Sequence, residues 1–174
     1  MFWIMVDVEA DGPIPGKYSM ISLGAVVVEP GLTRSFYGKL RPISEEWVPE
    51  ALAVSKFSRE ETLAFDDPHA VMRDFNKWIL SISRKDSSSR PMFVSDNNGF
   101  DWMFACWYFH NFLGKNPFGH SSTNLGSLYK GLVGDMRQNF KHLRKTKHSH
   151  NPVDDAKGNA EAFIHLVEKM NLKL

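Results

Sequence analysis

The sequence lacks most of the features that would narrow its chemistry at a glance. Its 174 residues include one cysteine, Cys106, set in an apolar run. One cysteine closes no internal disulfide, so a cystine scaffold is excluded and a reducing, cytoplasmic compartment is expected. Asp7 and Glu9 interrupt the apolar N-terminal stretch, and no signal peptide is expected. The longest apolar segment, around Trp102 to Phe112, is too short and too polar to span a bilayer. Charge of one sign is also lacking. The 21 Lys and Arg residues stand against 20 Asp and Glu, leaving a formal +1, so bulk charge names no partner. Gly-x-Gly-x-x-Gly, Gly-x-Ser-x-Gly and Walker-type loops are absent, which removes support for cofactor redox, serine hydrolysis and nucleoside-triphosphate chemistry. Paired Cys and His ligands of the structural-zinc type are absent too.

What is present is an ordinary globular composition, 43% hydrophobic and 24% charged, long enough for one domain over residues 1–174 to bury roughly 70% of its unfolded surface. No repeat or long linker divides it. Phe2 to Val8 reads as a buried central strand, Tyr18 to Val28 as a second, with Gly24 placed for a bulge or close approach, and Thr33 to Leu40 as a third, paired by a hairpin. A short helix is expected around Glu50 to Val54, and a longer one over Asp67 to Ser83, capped by Asp66 or Asp67. Lys85 to Arg90 reads as a polar loop. Met92 to Ser95 reads as a short strand, Gly99 to Leu113 as an apolar helix stopped by Gly114, and Leu125 to Leu132 as a short helix. Asp155 to Asn171 reads as the last helix. This order predicts an α/β sandwich with a mixed sheet.

Three groups of polar residues stand out. Asp7 and Glu9, two apart on a strand, share a face and suit a metal, or else mark a strand end reaching solvent, with Asp11 in the following turn. Asp101 follows Ser95-Asp96-Asn97-Asn98-Gly99-Phe100 at a strand-to-helix junction, where α/β sheets bind ligands; capping of that helix is the competing reading. His150 and Asp155 lie five apart where the last helix begins, with His142 and His148 close by. Just upstream, Lys141, Arg144, Lys145 and Lys147 place four cations within eight positions, either a phosphate-binding border or a solvated face.

Taken in order, Asp7-Val8-Glu9, then Asn97 with Phe100-Asp101, then His150 with Asp155, resemble the three motifs of the DEDDh exonucleases of the DnaQ-like superfamily. Pro49 to Val54 and Leu125 to Leu132 extend the likeness, and the latter segment with His150 to Phe163 most resembles small single-domain bacterial 3'-5' exoribonucleases. The chain departs from the family at Asp96-Asn97, where His-Asn is common, and at Ala10-Asp11-Gly12, where Thr-Thr-Gly or similar is usual.

The resemblance implies a ribonuclease H-like fold with a five-stranded mixed sheet flanked by helices. It implies two Mg²⁺ or Mn²⁺ ions held by Asp7, Glu9, Asp101 and Asp155, with Asp7 bridging them and His150 as general base. Ala10, Asn97, Phe100, Lys145 and Lys147 are the expected substrate contacts, and Trp47 or Phe57 either stack on bases or pack in the core. The expected substrate is single-stranded nucleic acid, RNA preferred, with a DNA-directed proofreading or repair exonuclease as the alternative. The lack of an extra domain or tethering tail favours the free-standing ribonuclease. A non-catalytic binding module would require a gap in the acid set, and there is none. Trp102, Trp107, Tyr108 and Phe109 read as core or as the interface of a homodimer.

Overall fold

The computed structural model describes residues 1–83 and 90–173. The loop expected over Lys85 to Arg90 lies, up to residue 89, outside the described residues. Strands β1 (Phe2–Ala10), β2 (Met20–Val27), β3 (Ser35–Lys39), β4 (Pro91–Ser95) and β5 (Ser122–Asn124) form one sheet in the order β3-β2-β1-β4-β5. The β1–β2 and β2–β3 pairs are antiparallel, and the β1–β4 and β4–β5 pairs are parallel. The sheet is the five-stranded mixed one expected.

β1 is central because it is apolar on both faces. Ile4, Val6, Val8 and Ala10 enter one core with the helices α3 (Pro68–Ser83) and α4 (Asn98–Leu113). Met5 enters the other, with Ala156, Ala160 and Phe163 of α6 (Pro152–Lys169) and Leu125 and Tyr129 of α5 (Leu125–Val133). Two buried faces explain a continuous apolar run in place of alternation. α3 carries Val71, Met72, Phe75, Ile79 and Ile82 on its buried face, each worth about 1.5–3 kcal/mol when fully buried. Asp67 caps α3, its carboxylate accepting the Ala70 N–H at 3.0 Å.

Three features depart from the expected elements. A five-residue helix, α2 (Arg59–Leu63), follows the expected short helix α1 (Pro49–Val54). It is started by a capping box between Ser58 and Glu61. β5 was not placed, since Ser122-Thr123-Asn124 carries little apolar signal. It is fixed instead through Asn98, which donates to the Thr123 carbonyl at 3.1 Å and accepts from Ser122 Oγ at 2.8 Å. The last helix starts at Pro152, three residues earlier than expected. Asn151 caps it by accepting the N–H groups of Val153 and Asp154, and Pro152 occupies its first position. Asp155 therefore lies in the first turn and does not start the helix.

Sheet register places the carboxylates. Parallel pairing of β1 with β4 ends at Met5 opposite Val94, while β1 runs on to Ala10 along β2. Asp7 and Glu9 thus project beyond the point where β1 and β4 part, at the carboxyl end of the parallel pair.

Candidate active site

Asp7 and Glu9 share the sheet face covered by α6, as their spacing requires. Gly24 stands directly opposite Asp7 in the β1–β2 register. A Cβ at Gly24 would lie 2.2 Å from the Pro152 carbonyl carbon and 2.3 Å from the Val153 nitrogen. The missing side chain lets the start of α6 sit against the sheet, which carries Asp155 to Asp7. One oxygen each from Asp7, Glu9 and Asp155 lie within 4.8 Å of one another.

The fourth acid arrives from the other side of the parting strands. Asp101, 2% exposed, does not cap its own helix. Its Oδ1 accepts the Val8 N–H at 3.2 Å, an amide beyond the end of the β4 pairing. Its Oδ2 is buried and has no hydrogen-bond partner among the described residues. Asp101 is not within the 4.8 Å group, but its charge still raises the pKa of Asp7.

The electrostatics are those of an under-compensated acidic centre. Burial foremost, then Asp101, Glu9 and Asp155, holds the Asp7 pKa well above the ordinary carboxyl value, with Arg144 opposing. Burial and then Asp155 push Glu9 up to about 7. Burial above all raises Asp101 to about 8, with Ser95 and the Val8 amide offsetting it in part. Each shift says that protein groups alone do not balance the charged form.

Asp155 is enclosed by polar groups of the loop before α6. It is 0% exposed, yet three N–H donors and an imidazole nitrogen approach it. Arg144 Nη2 at 2.9 Å, His148 Nδ1 at 2.8 Å and the Ser149 N–H at 3.0 Å approach Oδ1, and the His150 N–H reaches Oδ2 at 2.8 Å. The last of these bonds holds His150 at φ +59°, a left-handed conformation uncommon outside glycine. The His150 ring is 39% exposed, with Nδ1 3.7 Å from Glu9 Oε1. Burial and then His148 hold its pKa below the ordinary histidine value, with Asp155 opposing, so neutral pH leaves the ring able to accept a proton.

The expected substrate residues divide into two groups. Ala10, Asn97 and Phe100 line a cleft of about 320 Å³ with Glu9, Gly12, Pro13, Val48, Ala51 and Val54. Asn97 caps α4 by position but makes no side-chain capping bond. Trp47 and Phe57 line a different hollow. Phe57 packs edge-on against Phe65 at 4.9 Å, and Trp47 lies beneath the Arg59 guanidinium, so neither opens on the cleft beside Glu9. Lys145 and Lys147 are exposed along the loop that leads to His150. Arg144 is turned inward, its side chain 7% exposed on Asp155, a correction to the reading of the basic cluster as one surface. His148 and Arg144 are the site residues the sequence did not single out, since a basic run does not show which of its members turns inward.

No family profile matches the chain. The 3'-5' DNA exonuclease Cap18 of Escherichia coli is 39% identical over 181 residues, covering 98% of this chain and 94% of that protein. The nuclease domain of 3'hExo, a DEDDh family member solved with rAMP, superposes with a TM-score of 0.76 at 13% identity, covering 97% of this chain and 92% of that one. Escherichia coli Exonuclease I in complex with a dA16 oligonucleotide gives 0.73 at 14% identity, over 97% of this chain and 41% of that one. The fold is that of the ribonuclease H-like exonucleases. The chain belongs to the DEDDh 3'-5' exonucleases of the DnaQ-like superfamily, and is a hydrolase of that class.

Proposed function

We propose that this chain, a single exonuclease domain over residues 1–174, removes 5'-mononucleotides from the 3' end of single-stranded DNA. The observation that carries the reading is the convergence of Asp7, Glu9 and Asp155 within 4.8 Å beneath the His150 ring. The DNA assignment rests on the relative named a DNA exonuclease, which covers nearly the whole chain. It moves the preference away from the RNA expected from sequence, and RNA remains the second reading on the resemblance of residues 125–132 and 150–163.

The donor set fits hard divalent cations. Every carboxylate oxygen suits Mg²⁺ or Mn²⁺, Asp101 offers a buried oxygen without a protein partner, and the raised carboxyl pKa values mark negative charge that cations would balance. Asp7, Glu9, Asp101 and Asp155 would hold two such ions, which supply an activated water and neutralise charge developing on the phosphate.

The chain's own residues do the rest. His150 accepts the proton of the attacking water. Phe100, Val48, Ala51 and Val54 give the terminal base an apolar seat, and Asn97 and the Ala10 backbone orient the nucleotide. Lys145 and Lys147 meet phosphates upstream of the cut. A homodimer would use the half-buried Trp102 and Trp107 of α4, and a single monomer mass in light scattering would rule it out. The helices described include none long and apolar enough to cross a membrane.

The test uses 5'-labelled single-stranded DNA and RNA of one sequence, with Mg²⁺, Mn²⁺ or EDTA, beside Asp7→Asn and His150→Ala. The expected result is a metal-dependent ladder shortening from the 3' end, faster on DNA and lost in both variants. A faster RNA ladder would return the second reading. No ladder on either strand from folded protein would overturn the assignment.

A further inference from the structure

The loop before α6 brings together more chemistry than the exonuclease reaction uses. His148 and His150 flank Ser149, and the left-handed φ of His150 turns the two imidazoles edge to face, with ring centroids 4.2 Å apart. One nitrogen of each ring and one oxygen of Asp155 all lie within 4.8 Å of one another. Glu9 Oε1 is 3.7 Å from His150 Nδ1, near enough to be considered as a fourth donor.

Two imidazoles and two carboxylates do not make a magnesium site, which calls for oxygen donors in octahedral array. They do make a site for a tetrahedral, borderline-soft ion such as Zn²⁺, whose N and O ligands sit about 2.0–2.2 Å from the metal. Ligands at that radius are separated by about 3.3 Å along the edges of a tetrahedron, within the spread seen here. The supports of the site are already in place. The Ser149 N–H and Arg144 hold Asp155, and the backbone N–H groups of Lys145 and Thr146 tie the loop to Glu161 of α6 at 2.8 and 2.7 Å. Outer contacts of this kind fix ligand orientation. Asp155 Oδ2 accepts the His150 N–H. Both rings are open to solvent, at 53% and 39% exposure, so an ion can enter.

We propose that His148, His150, Asp155 and Glu9 form a zinc site that overlaps the all-carboxylate centre at Asp155 and Glu9, and that its occupation arrests the exonuclease. Arrest follows because the ion takes the ring nitrogen of His150 and draws on Asp155 and Glu9 at once. The inhibitory half of the inference rests on the function proposed above; the binding half does not.

The experiment titrates Zn²⁺ by calorimetry, in millimolar Mg²⁺, into wild-type protein, His148→Asn and Asp7→Asn. Co²⁺ serves as a spectroscopic probe of coordination. Wild type is expected to bind one Zn²⁺ despite the Mg²⁺ and to give the visible absorption of tetrahedral Co²⁺. His148→Asn is expected to weaken Zn²⁺ at least tenfold and to lose the Co²⁺ bands. The Zn²⁺ concentration that halves its own Mg²⁺-supported nuclease activity should rise in step. Asp7→Asn is expected to lose nuclease activity and keep the His148-dependent ion. Equal Zn²⁺ affinity in wild type and His148→Asn would overturn the site. So would loss of Zn²⁺ binding in Asp7→Asn, since the ion would then belong to the carboxylates. Intact His148-dependent Zn²⁺ binding in a wild-type protein without nuclease activity would overturn the inhibitory role and the exonuclease reading, and leave the ion site standing.

Discussion

Asp7 and Asp11 lie four residues apart at the same end of one strand, and their surroundings differ in kind. Asp11 is 0% exposed and served by protein groups alone. The Ser19 N–H donates at 2.5 Å and Arg59 Nη1 at 2.8 Å. Its backbone accepts the Val48 N–H at 2.8 Å, and Arg59 also reaches the Ser44 carbonyl at 2.6 Å. Asp11 therefore ties the end of β1 to the segment that walls the cleft. Asp7 faces Glu9 and Asp155, and Arg144, which favours its charged form, is already bonded to Asp155. The register shift between Glu9 and Ala10 separates the two environments, ending the alternation that keeps Asp7 and Glu9 on the α6 face. Of these three carboxylates, Asp11 is paired within the wall, and Asp7 with Glu9 lies among other carboxylates, as the proposed metal centre requires.

The contrast breaks most visibly at the wall. Arg59→Met leaves Asp11 buried without its counter-charge and should cost about 3 kcal/mol of stability. Asp11→Asn with Arg59→Met together should cost less than the sum of the single changes, measured by urea unfolding. Additive losses would mean that the pair is not coupled.

A second prediction concerns pH. Glu9 at about 7 and Asp101 at about 8 are raised above unfolded carboxyl values. The metal-free native state therefore binds more protons than the unfolded chain between about pH 4 and 8. Stability from these groups is present at low pH and lost as pH rises through that window. Without divalent metal, the Tm should fall by several degrees from pH 5 to pH 8, and Mg²⁺ should restore it at pH 8. Asp101→Asn should flatten the metal-free slope, as followed by thermal unfolding.

Gly24→Ala tests the close approach that sets Asp155. Its Cβ would meet backbone rather than a flexible side chain, so a cost of about 1–3 kcal/mol is expected, with a lower kcat as Asp155 moves away from Asp7. Full activity would show that α6 can shift freely. The smallest effects belong to Lys145→Ala and Lys147→Ala. Each should weaken DNA binding a few-fold and lower the slope of log K against log salt by roughly one unit, with no change in stability.

Much of this was legible in the chain. The continuous apolar β1, the hairpin to β3, the periodic face of α3 and the spacing of Asp7, Glu9, Asp101, His150 and Asp155 each carry a local signal, and Gly24 was readable as a point of close approach. β5 was not legible, because three polar residues acquire strand geometry only through Asn98 and the edge of β4. α2 carries a local signal in Ser58-x-x-Glu61, though the helix it starts is five residues long. The separation of Asp11 from Asp7 depends on Arg59, 48 residues from Asp11, and the inward turn of Arg144 depends on how its loop folds back on Asp155 of α6; no local pattern records either.

The most direct test of the account is a Mn²⁺ titration followed by the loss of free-ion EPR signal, on wild type, Asp7→Asn and Arg59→Met. The account predicts about two Mn²⁺ per chain in wild type, as a two-metal centre requires. It predicts a loss of at least one in Asp7→Asn, and wild-type stoichiometry in folded Arg59→Met. No Mn²⁺ bound by wild type, or equal binding in Asp7→Asn, would contradict the claim that the carboxylates at the end of β1 are held for metal.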